Sequence, residues 1–442
     1  MKIVFIGATL ILVVCATFVA LTLPSKKMVY SGEASSSADL AITASSTPPT
    51  ASSTLSVTPP PFVVTHISTP DPVKAVYFTG WAAGTPSFQK KMWSILDGST
   101  EVNSIVIDVK DYSGRISYIV DDPRFDSTLI DSMGSAQARI SDIEQFIASL
   151  HAKDIYVIGR IQSFEDPYSV LKHPEWAVKN ADGTLWKDAG GAYWMDPDSH
   201  GAWSYISAIA KQAYSVGFDE INFDYVRFPS DGSVGSAVYD KPASTTKAEA
   251  IKSFFIYLHD TLSPLGIPIS ADLFGQTTSD TGDMGIGQVI EDAFPYFDFI
   301  DPMVYPSHYI NGFIGYAKPA EHPYQIVKYS MDTAVARAEA TTTIFRSLGD
   351  ELIASTSPKL YTRTPVSPLK IRPWLQAFDL GAVYTPAMVE AQEQATYDAG
   401  LNSWLLWNAG AVYNEAELVP VVASASSGMA STSSNATSTI GR

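Results

Sequence analysis

The run Asp219-Glu220-Ile221-Asn222-Phe223-Asp224-Tyr225-Val226-Arg227-Phe228-Pro229 carries the strongest chemical signal in this chain. As a strand, it puts Asn222 and Asp224 on one face and Ile221, Phe223 and Tyr225 on the other. An apolar outer face with a small polar inner face suits a closed barrel of parallel strands. In such barrels a carboxylate at the C-terminal end of a strand points into the site. Asp224 is therefore the first candidate catalytic residue, and Asp272, in the next strand-like run, is the second. Neighbouring parallel strands lie about 4.8 Å apart, so the two carboxyls are placed to flank one glycosidic bond. One would protonate the leaving oxygen while the other attacks carbon or activates water. On this reading Asp224 is nucleophile or base and Asp272 is general acid.

Eight strand-like runs alternate with helical or loop-rich stretches: 74–81, 104–111, 155–162, 220–227, 268–274, 299–305, 371–378 and 403–408. Such alternation predicts parallel pairing with right-handed crossovers, and eight units predict an α/β fold of the (β/α)8 TIM-barrel type. Helical periods are expected at 140–153, 202–216 and 248–262, and near 331–345. Pro302 and Pro373 fall inside the sixth and seventh runs, where proline is unusual. The connections 163–200 and 311–369 exceed simple crossovers, and long loops on a barrel carry function more often than scaffolding.

Polar residues collect at the ends of these runs. They are Asp108, Lys110 and Asp111 on the second, Arg160 and Gln162 on the third, Ser270 and Asp272 on the fifth, and Asp301 and Tyr305 on the sixth. Gln376 ends the seventh, Asn408 and Trp407 the eighth, and Trp81 the first. Unpaired polar groups are costly to bury, so this pattern predicts a polar site at the barrel mouth. Arg160 and Arg227 are candidates to orient a carboxylate and hold it ionised. Trp81, Tyr305, Trp407 and the loop tryptophans Trp176, Trp186 and Trp194 are candidates to stack on sugar faces. The expected substrate-binding set is Trp81, Asp108, Lys110, Arg160, Arg227, Asp301, Tyr305, Gln376, Trp407 and Asn408. Asp108 and Asp301 also have a structural reading as partners of Lys110 or of backbone amides, and the loop tryptophans as a small core beneath their loop.

The chain has 442 residues and a formal charge of −17. That balance argues against nucleic acid, which needs a clustered basic face. The seven histidines are scattered, with no H-E-x-x-H, so neither a metal nor another cofactor is expected. No G-x-S-x-G elbow occurs. Residues 3–23 form an uncharged, almost wholly apolar run long enough to span a bilayer, and no good small-residue cleavage site follows it. An uncleaved anchor is expected over residues 1–25, with a cleaved signal as the alternative and the folded part outside the cytoplasm. The single cysteine, Cys15, lies within this run. Residues 26–72 read as a Ser/Thr/Pro-rich linker, 73–422 as the folded unit and 423–442 as a disordered tail.

The ordered elements VIDVKD, INFDYVRFP, ISADLFG, DFIDPMVYPSHY and WLLWNA resemble those of the bacterial "putative glycoside hydrolase" barrels, an alpha-amylase-like group of mostly unassigned specificity. His173 to Ala177, Asp182-Gly183 and Trp194 to Pro197 resemble a loop of those barrels. The resemblance covers about 74–413. It implies Asp224 at the fourth-strand nucleophile position and Asp272 at the fifth-strand acid/base position. Many relatives carry glutamate there, and the shorter side chain widens the gap between carboxyls in the direction of inversion. With the strand-end carboxylates, anchor and linker, the chain reads as a barrel that hydrolyses a polysaccharide outside the cytoplasm. Two alternatives stand beside hydrolysis: a glycan-binding barrel without turnover, and a transglycosylase.

Overall fold

The computed structural model describes residues 63–121, 125–240, 245–345 and 351–418. The expected anchor, the linker up to residue 62 and the expected tail lie outside the described residues. Among the described residues no helix is long and apolar enough to cross a membrane.

Eight parallel strands close a barrel. In chain order they begin with β1 (Lys74–Phe78), β2 (Ser104–Lys110), β3 (Tyr156–Gln162), β4 (Glu220–Asp224), β5 (Ile269–Phe274) and β6 (Phe299–Met303). A three-stranded antiparallel sheet follows, of β7 (Thr342–Thr343), β8 (Leu352–Ala354) and β9 (Leu360–Thr362). The barrel resumes with β10 (Trp374–Gln376) and closes with β11 (Trp404–Trp407), which pairs with β1. The expected (β/α)8 barrel is thus the observed architecture.

Strand alternation builds two cores. Ile105, Ile107 and Val109 of β2 and Ile221 and Phe223 of β4 face outward and pack under the helices. Ala75, Tyr77, Val106, Tyr156, Ile158, Trp374 and Leu405 fill the barrel interior. Gly159 faces outward in β3, where a Cβ would come within 2.9 Å of Phe218 and Val109; only glycine lets β3 lie this close to its covering layer. The helix Lys247–Leu262 starts with a capping box, Thr246 accepting from the Glu249 N–H while the Glu249 carboxylate accepts from the Thr246 N–H.

Three expectations need correction. β1 stops at Phe78 because Thr79 caps a short helix, Gly80–Gly84, so Trp81 is helical. β4 stops at Asp224 because Tyr225 takes φ 55°, a left-handed conformation rare for a bulky residue. The helix expected near 331–345 runs Pro323–Glu339, with proline in its first turn, and the Thr341–Thr343 run leaves the helix to form β7. The two prolines lie at the thinnest seam. β6 and β10 share one strand register pair, Trp374 with Met303, plus a bridge between Ile300 and Ile371.

Candidate active site

The barrel's C-terminal end holds a buried cluster centred on Arg160. Its register neighbours explain why: Asp108 pairs with Arg160 across β2–β3, Arg160 with Asn222, and Gln162 with Asp224 across β3–β4. Arg160 Nη1 donates to Asp108 Oδ1 at 2.7 Å. Its Nη2 and Nε donate to Asp224 Oδ2 at 2.5 and 3.1 Å, and Nε lies 4.0 Å from Asp272 Oδ2. Tyr77 donates its hydroxyl proton to Asp108 Oδ2 at 2.6 Å. Tyr77 and Trp407 stack at 3.9 Å, and the Arg160 guanidinium lies 5.0 Å from the Trp407 ring centre. Asp224 Oδ1 accepts the Tyr225 N–H at 2.6 Å, so the left-handed turn also fixes the carboxylate.

A second guanidinium, Arg372, is fully enclosed in the barrel. It donates to Glu220 and Asp301, and Asn222 Nδ2 links Asp301 to Asp272 and Ser270. Five carboxyls (Asp108, Asp224, Asp272, Asp301, Glu220) therefore share two guanidiniums in a space without bulk water. They cannot all be ionised cheaply. Burial, then the charges of Asp224 and Asp301, push Asp272 well above the usual carboxylate range. Burial pushes Asp108 and Asp301 up to about 6 against the pull of Arg160 and Arg372. Asp272 is the group that keeps its proton. Its Oδ1 accepts from Asn222 Nδ2 at 2.8 Å and from Trp374 Nε1 at 2.7 Å.

Of the residues expected from sequence, Asp224, Asp272, Asp108, Arg160, Tyr305 and Trp407 come together here, with the buried Tyr305 hydroxyl near Asp272, Asp224 and Arg160. The others stand elsewhere. Lys110 is fully buried and donates to Asp166 Oδ2 at 2.6 Å and to the Ser163 carbonyl, because a register shift after Asp108 turns it out of the cluster. Asp301 is locked to Arg372. Gln376 bridges loops, accepting from the Ser307 N–H and donating to the Phe378 carbonyl, and Asn408 donates to the Ala377 carbonyl. In this geometry protein partners hold all four. Trp81 is 57% exposed under Arg139. Arg227 lies past the end of β4, its guanidinium over Trp194, Tyr225 and Phe274. Trp186 and Trp194 are buried as a small core of the long loop, and Trp176 stacks on His173, so that loop offers less sugar-stacking surface than its composition suggested.

One mouth residue escaped the strand-end reading. Glu165 sits three residues past β3, half-buried, and its Oε1 accepts from Gln162 Nε2 at 3.1 Å. A carboxyl just beyond a strand that ends in Arg-Ile-Gln was the available signal. Among the described residues no group of acidic, histidine or cysteine side chains is arranged to hold a metal ion.

The fold and this cluster define a (β/α)8 barrel with a carboxyl-rich site at its C-terminal end. The family described as "Putative glycosyl hydrolase domain" matches residues 75–413, and the chain belongs to it. This membership places it among the glycoside hydrolases, with specificity unassigned. A hypothetical protein from Ruminiclostridium thermocellum is 33% identical over 45% of this chain and 96% of its own, with TM-score 0.40. The PgaB (BpsB) glycoside hydrolase domain from Bordetella bronchiseptica is 13% identical over 76% of this chain and 94% of its own; its TM-score of 0.51 supports the barrel fold. The alpha-galactosidase TtGalA from Thermus thermophilus is 10% identical over 78% of this chain and 60% of its own, with TM-score 0.45. No curated protein matches the sequence.

Proposed function

We propose that this chain hydrolyses glycosidic bonds of an extracellular or cell-envelope polysaccharide, with Asp224 as the nucleophile. The observation that carries this is the contrast between two neighbouring carboxyls. Asp224 is held by Arg160 and the Tyr225 N–H, while Asp272 is driven to keep a proton. A strand-end carboxylate oriented by a guanidinium and a backbone N–H, beside a carboxyl that stays neutral, is placed to serve as a nucleophile. Asp272 acts through Asp224: staying neutral, it leaves the charge of Arg160 to Asp108 and Asp224. Asp272 is then a positioning residue rather than the acid expected from sequence, since it is 1% exposed and its Oδ1 already accepts two donors. The apolar run at 3–23 and the Ser/Thr/Pro-rich stretch after it support a location outside the cytoplasm.

The test is reducing-end release from cell-wall, capsular and secreted glycans by the purified chain beside Asp224→Asn. Release that vanishes in the variant supports the proposal; release unchanged in it removes Asp224 from the mechanism. The near-complete enclosure of both carboxyls favours a second reading, a glycan-binding barrel without turnover. Saturable binding with no release, equal in Asp224→Asn, would select it. A transglycosylase would instead show longer products when an acceptor sugar is added.

A further inference from the structure

The proposed reaction needs a proton donor beside Asp224, and Asp272 is the more enclosed of the two carboxyls, with two donors already on its Oδ1. Glu165 is a carboxyl at the mouth with an open side. Its backbone is tied to the element that carries Asp224. The Ser163 N–H donates to the Asp224 carbonyl at 2.8 Å, the Phe164 N–H to the Tyr225 carbonyl, and Glu165 itself bridges to Trp194 in the long loop. Its Oε1 is held by Gln162, the register partner of Asp224. Its Oε2 has no hydrogen-bond partner among the described residues. The charged groups facing it are Arg227, Asp188 and Asp224, with the Tyr225 hydroxyl beside them. Burial, reinforced by Asp188 and Asp224 and opposed by Arg227, pushes its carboxyl up to about 7. Such a group is loaded with a proton near neutrality and sheds it readily, as a general acid must.

We propose that Glu165 is the general acid–base of this site, a role that rests on the hydrolase reading above. In the first step the O–H bond of Glu165 breaks and its proton goes to the glycosidic oxygen. The bond from that oxygen to the anomeric carbon breaks with its electron pair staying on oxygen, and Asp224 bonds to the carbon. In the second step the Glu165 carboxylate takes a proton from water, the water oxygen bonds to the anomeric carbon, and Asp224 leaves with its pair. Both residues end in their starting states.

The experiment uses the full chain, Glu165→Gln, Asp224→Asn and Asp272→Asn. The substrates are matched 2,4-dinitrophenyl and phenyl glycosides of glucose, galactose and their 2-acetamido forms, in both anomers. A dinitrophenolate leaves without help, whereas a phenolate needs the proton. Glu165→Gln keeps the oxygen that Gln162 holds, so its fold is preserved, and thermal melting checks this. Expected is a fall of about 100-fold or more in kcat/KM on phenyl glycosides and of under about 10-fold on dinitrophenyl glycosides. The alkaline limb near pH 7 should disappear, and added azide should be captured as a glycosyl azide. Equal losses on both leaving groups, or none, overturn the role of Glu165. A leaving-group-dependent loss in Asp272→Asn in place of Glu165→Gln transfers the role and also overturns it. Wild-type rates in Asp224→Asn sink the nucleophile assignment separately. No turnover by the wild-type chain of any aryl glycoside or glycan preparation overturns both.

Discussion

Glu393 offers a quantitative test of the structure away from the site. It lies on the helix Pro386–Asp398, is fully buried, and neither carboxylate oxygen has a hydrogen-bond partner among the described residues. Burial, with Glu101, Glu390 and Glu417 around it and only Lys74 opposing, pushes its carboxyl from 4.5 up to about 9. Between those values the folded chain holds a proton that the unfolded chain has released. The stabilising protonated form is fully matched below pH 4.5, and stability is lost as pH rises towards the folded value. Each pH unit costs about 1.4 kcal/mol, so the cost at pH 7 reaches ~3 kcal/mol as an upper figure. Glu393→Gln keeps the shape of the protonated acid and cannot ionise. It should be close to neutral at pH 4 and stabilising at pH 7. With about 2.1 cal/mol/K per residue over roughly 350 folded residues, ~3 kcal/mol raises Tm by about 4 °C. Melting curves of both chains at pH 4, 5.5, 7 and 8 would measure this. A Tm difference that stays flat across pH, or a variant that melts lower at pH 8, would refute the reasoning.

Other outcomes follow from the same geometry. Arg372→Met strands Glu220 and Asp301 inside the barrel and should cost about 3–5 kcal/mol, seen as a lower Tm by circular dichroism. Lys110→Met strands Asp166 at a similar cost, while kcat/KM per folded molecule should stay within about threefold, because Lys110 does not face the cluster. Asp272→Asn keeps the uncharged form and the oxygen that Asn222 and Trp374 hold, so kcat, KM and the acid limb of the pH–rate profile should stay near those of wild type; a large fall in kcat would show that the Asp272 proton itself is used. Trp186→Ala should lose about 3–5 kcal/mol and loosen the long loop, read as faster proteolysis between 163 and 200.

Alternation of apolar residues determined much of this protein by itself. Outward Ile, Val and Phe with inward polar residues on β2 to β6 specify strands buried on both faces, and strand–helix alternation specifies their parallel closure. Inward alternation also singled out Asp108, Arg160 and Asp224: Asp108 is the register partner of Arg160, and Asp224 stands two residues beyond Asn222, Arg160's partner, on the same inward face. Pro302 and Pro373 announced the weak seam between β6 and β10 for the same local reason, the missing N–H. Tertiary structure decided the rest. Nothing local shows that Tyr225 turns left-handed and puts Arg227 on a loop, or that a register shift swings Lys110 to Asp166. Arg372 finds Glu220 across 152 residues, and this pairing removes Asp301 from the free carboxyls. Trp186 and Trp194 read alike as binding surface or as core until packing buries them. Protonation also belongs to the assembled barrel. Whether a carboxyl keeps its proton depends on how many carboxyls crowd each guanidinium and how little water reaches them. Closure of the barrel sets both, and no single strand does.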